Sequence, residues 1–88
     1  MKLTPDEARV RHPGHDHDHT VPVDRIRADD IVIVRPGDRI PVDGRVVRGT
    51  SAVDQSPITG ESLPADKAIG DEVFAGTINL SGVLELAV

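Results

Sequence analysis

Cysteine is absent from this 88-residue chain, and its aromatic residues are reduced to one, Phe74. The first absence excludes disulfides and thiolate metal sites, and fits a cytosolic chain. The second leaves the core to Val, Ile, Leu and Ala. With neither Trp nor Tyr, and a formal net charge of −5, the sequence lacks the basic stripe and stacking rings that nucleic acid selects. No nucleic-acid partner is expected. Long hydrophobic runs are missing as well. The longest run of strong hydrophobes, Ile31-Val32-Ile33-Val34, is far short of the roughly 20 residues of a membrane helix. No secretory pattern follows Met1-Lys2-Leu3. These absences describe one soluble domain, with a stability on the order of 5 kcal/mol.

What is present divides the chain into an N-terminal segment, 1–20, and a strand-rich domain, 21–88. Thr4-Pro5-Asp6-Glu7 has a hydroxyl at the cap, Pro at the first helical position and Glu three residues on, which predicts a short helical turn ended by Pro13-Gly14. His12, His15, His17 and His19, interleaved with Asp16 and Asp18, form a polar stretch with no apolar period and read as a loop. Imidazole beside carboxylate suits zinc and similar divalent metals, so weak zinc binding at these four histidines is one expectation. A merely solvated tract is the other.

From Val21 the signals are those of strands. Pro22 between Val21 and Val23 suits an edge strand. Ile31–Val34, bounded by Asp29-Asp30 and Pro36-Gly37-Asp38, reads as a strand buried on both faces. Asp43-Gly44 signals a turn before Arg45–Arg48, and Ser51–Gln55 holds another short strand. Val73–Ile78 and Val83–Val88 flank Asn79-Leu80-Ser81-Gly82 and predict a hairpin, with Leu84, Leu86 and Val88 on one face. So many short strands predict an all-β fold, a small sandwich or distorted barrel. The chain stops within an apolar strand at Val88, which suggests a piece of a larger polypeptide.

The stretch Asp54-Gln55-Ser56-Pro57-Ile58-Thr59-Gly60-Glu61-Ser62-Leu63-Pro64 is too long and too punctuated for a hairpin turn. Two prolines stiffen it, and Gly60 beside Glu61 permits close approach to another surface. A carboxylate so placed can orient a water and accept its proton. The plainer reading is a capped turn with Glu61 solvated.

The surrounding residues favour the first reading. Val34-Arg35-Pro36-Gly37-Asp38-Arg39-Ile40-Pro41-Val42-Asp43-Gly44 is similar to the segment that precedes the Thr-Gly-Glu-Ser loop of P-type ATPases. The likeness resumes at Val53–Ser62 and continues through Lys67, Gly70-Asp71, Phe74–Asn79 and Gly82. Val-Asp-Gln-Ser and Gly-Thr-Ile-Asn place it nearest the heavy-metal-transporting subgroup. The resemblance implies a distorted jelly-roll actuator domain on the cytoplasmic side of a membrane pump. In such a pump ATP, with Mg2+, phosphorylates an aspartate in a separate domain. The actuator then rotates its loop against that phosphate. Glu61 would position the attacking water, Gly60 would allow the approach, and Thr59 would hold loop or water, with Ser62 completing the motif.

The implied partners are the phosphorylation and nucleotide-binding domains and transmembrane helices of the same parent chain, with a metal cation as cargo. No cofactor is expected in the domain itself. Pro36, Gly37, Asp38, Asp43 and Gly44 match too, yet turns require those residue types whatever the function. Ala65 and Asp29-Asp30 depart from the usual pattern. No Asp-Lys-Thr-Gly motif, nucleotide-binding element or Cys-Pro-Cys occurs, so the isolated chain is expected not to hydrolyse ATP. Two rival readings remain. Ala65-Asp66-Lys67-Ala68 resembles the tip of lipoyl carrier domains, which implies lipoate on Lys67, although Pro64 and Gly70 bracket that lysine. A stand-alone metal-binding module using the His run would leave the match from Arg35 to Gly82 unexplained.

Overall fold

The structure, a computed structural model, describes residues 6–12, 14, 17–61 and 63–88. Its described strands are β1 (Glu7–Arg11), β2 (Asp18–Pro22), β3 (Ile31–Val34), β4 (Gly44–Arg48), β5 (Ser51–Asp54), β6 (Ala65–Lys67), β7 (Glu72–Val73), β8 (Ile78–Asn79) and β9 (Leu84–Ala87). A 3-10 turn at Val23–Arg25 and one helical turn, α1 (Ser56–Thr59), complete the regular structure. The strands form two antiparallel sheets, one of six strands in the order β2-β1-β3-β9-β4-β7 and one of three in the order β6-β5-β8. The all-β architecture expected from the sequence is the one observed.

Alternation sets the inner face of the larger sheet. Ala8 and Val10 of β1, Val32 and Val34 of β3, Val46 of β4, Val73 of β7, and Leu84 and Leu86 of β9 are all buried. Val53 of β5 and Ile40 of the β3–β4 connection join the same cluster. No aromatic ring takes part, since Phe74 is exposed. Each fully buried Val or Leu contributes roughly 1.5–3 kcal/mol, which makes the face the main source of stability. β3, at the centre of the sheet, also buries Ile33 on the opposite face, so the run is covered on both sides. β2 is an edge strand, where Pro22 lacks only a hydrogen bond that no neighbour would accept.

Three expectations need correction. The helical turn signalled by Thr4-Pro5-Asp6-Glu7 does not extend over Glu7–Arg11, which is strand β1; Thr4 and Pro5 lie outside the described residues. The alternation of Ala8 and Val10 with Arg9 and Arg11 offers one apolar face of period two, and burying it in the sheet outweighs a local cap signal. The His run is also less of a loop than expected: Asp18 and His19 belong to β2, opposite Arg11 and Val10. The position 20/21, taken as a boundary, falls inside that strand.

The third correction concerns the hairpin expected across Asn79–Gly82, which does not form. β7 pairs with β4, β8 with β5, and β9 with β3 and β4. A turn at Phe74–Thr77, closed by the Thr77 hydroxyl donating to the Phe74 carbonyl at 2.7 Å, sends the chain from one sheet to the other. At the return, Gly49 and Gly82 let two segments cross closely. A Cβ on Gly82 would lie 2.2 Å from the Thr50 carbonyl oxygen, and one on Gly49 2.2 Å from that of Val83.

Asn79 locks this crossing. Wholly buried, it donates from Nδ2 to the carbonyls of Val34 at 3.1 Å and Gly82 at 2.6 Å. Its Oδ1 accepts from the Ser51 hydroxyl, which in turn accepts the Gly82 amide at 2.9 Å. Its main chain accepts from Gly37 N–H at 2.7 Å and donates to Asp38 at 2.9 Å. Of the residues read as plain turn formers, Asp38 acts as one, accepting the Arg35 amide at 3.1 Å, whereas Asp43 accepts the distant Ala75 amide at 2.8 Å and so ties the β3–β4 connection to the segment after β7.

Candidate functional site

β5 has a neighbour on each side, and Val53 within it is fully buried, so the strand gives the following loop a fixed base. Beyond Asp54 the chain makes the single turn α1, with Pro57 near its start. Proline suits that position because its amide would have had no intrahelical partner. The turn ends at Gly60, whose φ of 76° and ψ of −2° are left-handed, a conformation that any Cβ would strain. Its chain neighbours aside, no described residue has an atom within 4 Å of where such a Cβ would stand. The backbone conformation, and no neighbouring group of this chain, therefore calls for glycine.

Hydrogen bonds define both ends of the turn. The Asp54 carboxylate accepts the Ser56 amide at 2.9 Å. The Ser56 hydroxyl and amide together hold the Asp54 carboxyl below its ordinary range. The Gln55 carbonyl accepts from the amides of Ile58 at 3.0 Å and Thr59 at 2.9 Å, and the Gly60 amide bonds Ser56 at 2.9 Å. The Thr59 hydroxyl donates to the Gln55 carbonyl at 3.0 Å and accepts the Glu61 amide at 3.2 Å. Glu61 is thus exposed in its side chain and held in its backbone. Ser62 lies outside the described residues. Ile58 and Leu63, 50% and 78% exposed, make the rim of the loop apolar.

Thr59, Gly60 and Glu61 are therefore brought together on one turn. The histidines are placed elsewhere. Nδ1 of His12 lies 2.7 Å from Oδ1 of Asp30, its ring centroid is 5.6 Å from that of His19, and His17 is exposed. His15 lies outside the described residues. Among the described residues, no three His, Cys, Asp or Glu side chains are grouped to hold a metal ion. Asp30 is buried, and the Arg27 amide at 3.0 Å holds its carboxyl below the usual range, aided by His12 against the opposing effect of burial. Lys67 is the last residue of β6, opposite Ser51, with its ammonium 5.8 Å from the centre of the Phe74 ring. A carrier lysine would instead stand clear at a hairpin tip.

Sequence reasoning assigned Asp54, Asp30 and Asn79 no role of their own, although each falls in a stretch named above. For Asp54 the available signal was Asp-x-Ser, a side chain able to bond a backbone amide two residues on. For Asn79 the family resemblance marked the residue but not its bonding, since its partners Val34 and Ser51 are distant in sequence.

Fold and loop together define an all-β domain of two antiparallel sheets bearing one exposed, internally braced loop. The chain belongs to the P-type ATPase actuator domain family, whose family model matches residues 2–88. It is 53% identical over its whole length to a probable cadmium-transporting ATPase of Listeria monocytogenes, spanning 12% of that protein. It is 54% identical, again over its whole length, to a probable cobalt/nickel-exporting P-type ATPase of Mycobacterium bovis, spanning 13% of it. Over 98% of the chain it is 51% identical to a copper-exporting P-type ATPase of Bacillus subtilis, spanning 10% of it. Among solved structures, a zinc-transporting PIB-type ATPase in its E2.Pi state superposes with a TM-score of 0.88 at 32% identity, over 98% of this chain and 14% of that one. The chain thus spans about an eighth of the length of these relatives. No described helix is long and apolar enough to cross a membrane.

Proposed function

We propose that this chain is the actuator domain of a heavy-metal cation pump, and that the loop Thr59-Gly60-Glu61-Ser62 promotes hydrolysis of an aspartyl phosphate carried by another domain of the same parent chain. The observation that carries this reading is the presentation of Glu61, an exposed carboxylate whose amide is tied to Thr59 directly after a left-handed glycine. Phosphoryl transfer depends chiefly on positioning and charge stabilisation, so one well-placed carboxylate has a large effect.

In the proposed step, Glu61 orients a water and accepts its proton as the water oxygen bonds to phosphorus. The phosphorus–oxygen bond to the aspartate breaks, releasing inorganic phosphate and a free carboxylate. Two anions meet in this step, so cationic groups must offset them. The reading places those groups, together with Mg2+ and ATP, in the other domains. The open space over Gly60 is where the partner surface would approach. The domain would work at the cytoplasmic face, joined to transmembrane helices that select the cargo. Heavy metals are the favoured cargo because the relatives named above are described as transporting cadmium, cobalt or nickel, and copper.

The test is made on the full-length parent. Incubated with radiolabelled ATP, it should form an acid-stable phosphoenzyme, with turnover stimulated by zinc, cadmium, cobalt or copper salts. A parent that forms no phosphoenzyme refutes the proposal. Stimulation by alkali or calcium ions alone refutes the choice of cargo.

A further inference from the structure

Nothing buries α1. None of its four residues is buried, and a helix this short has no stability of its own. Its direction, and so the place where Glu61 emerges, must come from the hydrogen bonds at its ends. Thr59 ties the far end. At the near end Gln55 occupies the cap position, yet its side chain makes no capping bond. The Asp54 carboxylate supplies that bond from one residue upstream, accepting the Ser56 amide at 2.9 Å.

Asp54 is also the last residue of β5, paired with Ile78 of β8. Its neighbour Val53 is fully buried and pairs with Ala65 on one side and Asn79 on the other. Asp54 is therefore where the rigid sheet meets the unpacked turn. We infer that Asp54 is a positioning residue for the proposed dephosphorylation step: it fixes the orientation of α1 relative to β5 and, through Thr59 and Gly60, the line along which Glu61 is presented.

This inference rests on the proposed role of the loop, and it concerns only the angle of presentation. Asp54 contributes no proton and touches no substrate. A carboxylate held below its ordinary range keeps its full accepting capacity at neutral pH. An asparagine can accept the same amide through its carbonyl oxygen, whereas alanine cannot.

The experiment compares Asp54→Ala, Asp54→Asn and Glu61→Gln in the full-length pump. Phosphoenzyme formed from radiolabelled ATP is measured first, and its decay after a chase with unlabelled ATP second. The expected result is unchanged formation in both Asp54 variants, with decay slowed by between about tenfold and a hundredfold in Asp54→Ala and largely restored in Asp54→Asn. Fast decay in Asp54→Ala beside slow decay in Glu61→Gln overturns the positioning role and leaves the loop's role standing. Equal slowing in both Asp54 variants also overturns it, because the charge and not the amide bond would then matter. Loss of phosphoenzyme formation in both also overturns it, because Asp54 would then be needed before the dephosphorylation step. Fast decay in Glu61→Gln overturns the underlying reading itself.

Discussion

The Thr59 hydroxyl is donor and acceptor at once, giving its proton to the Gln55 carbonyl and receiving the Glu61 amide. Thr59-Gly60-Glu61-Ser62 stood out through the residues around it, since four residues alone read more plainly as a capped turn. Its shape was not legible: two prolines suggested a stiff loop, whereas Pro57 starts a helical turn and Gly60 ends it. Asp30 shows the same limit of local reading. It looked like one of two aspartates before a strand, yet it is buried at the end of the core face against Arg27 and His12. Its carboxyl titrates below its unfolded value, about 3.9, so the unfolded chain binds the extra proton first as pH falls. The stability it contributes is complete above that value and is lost as pH drops through the folded one. Urea unfolding of this chain across acid pH should show a shallower fall in stability for Asp30→Asn than for the native sequence. An equal fall would remove Asp30 from the acid response.

At the scale of elements, alternation identified the strands and proximity misled about their pairing. β3 follows from its bounded β-branched run, and the buried face of β9 from side-chain alternation. β1 carried the same period in Ala8 and Val10, but the cap-like Thr4-Pro5 in front of it pointed to helix. The missing hairpin has a physical cause in Asn79, whose amide is satisfied only when β3, β5 and the 79–82 loop converge on it. Those contacts span tens of residues and leave no local trace. Asn79→Ala would take the side-chain donor from the Val34 and Gly82 carbonyls and one acceptor from the Ser51 hydroxyl, which keeps the Ala52 carbonyl, costing on the order of 3 kcal/mol. In a domain with about 5 kcal/mol of stability, that change should lower the denaturation midpoint by more than half. Urea titration followed by circular dichroism measures it; a midpoint close to the native one would show that water replaces the side chain without penalty.

At the scale of the whole molecule, the chain is one domain of much longer relatives, and its form suits that condition. A core of aliphatic side chains holds two sheets, the smaller sheet anchors β5, and the loop beyond it carries Glu61 into open space. The proposed chemistry needs a second surface, since a carboxylate approaching a phosphate requires cations from elsewhere. The proposed role therefore depends on Glu61 in the full-length parent protein. Phosphoenzyme made from radiolabelled ATP is trapped by chelating magnesium, and its decay is followed in the native protein and in Glu61→Gln. The account predicts normal formation and decay slowed roughly a hundredfold or more; decay at the native rate would contradict it.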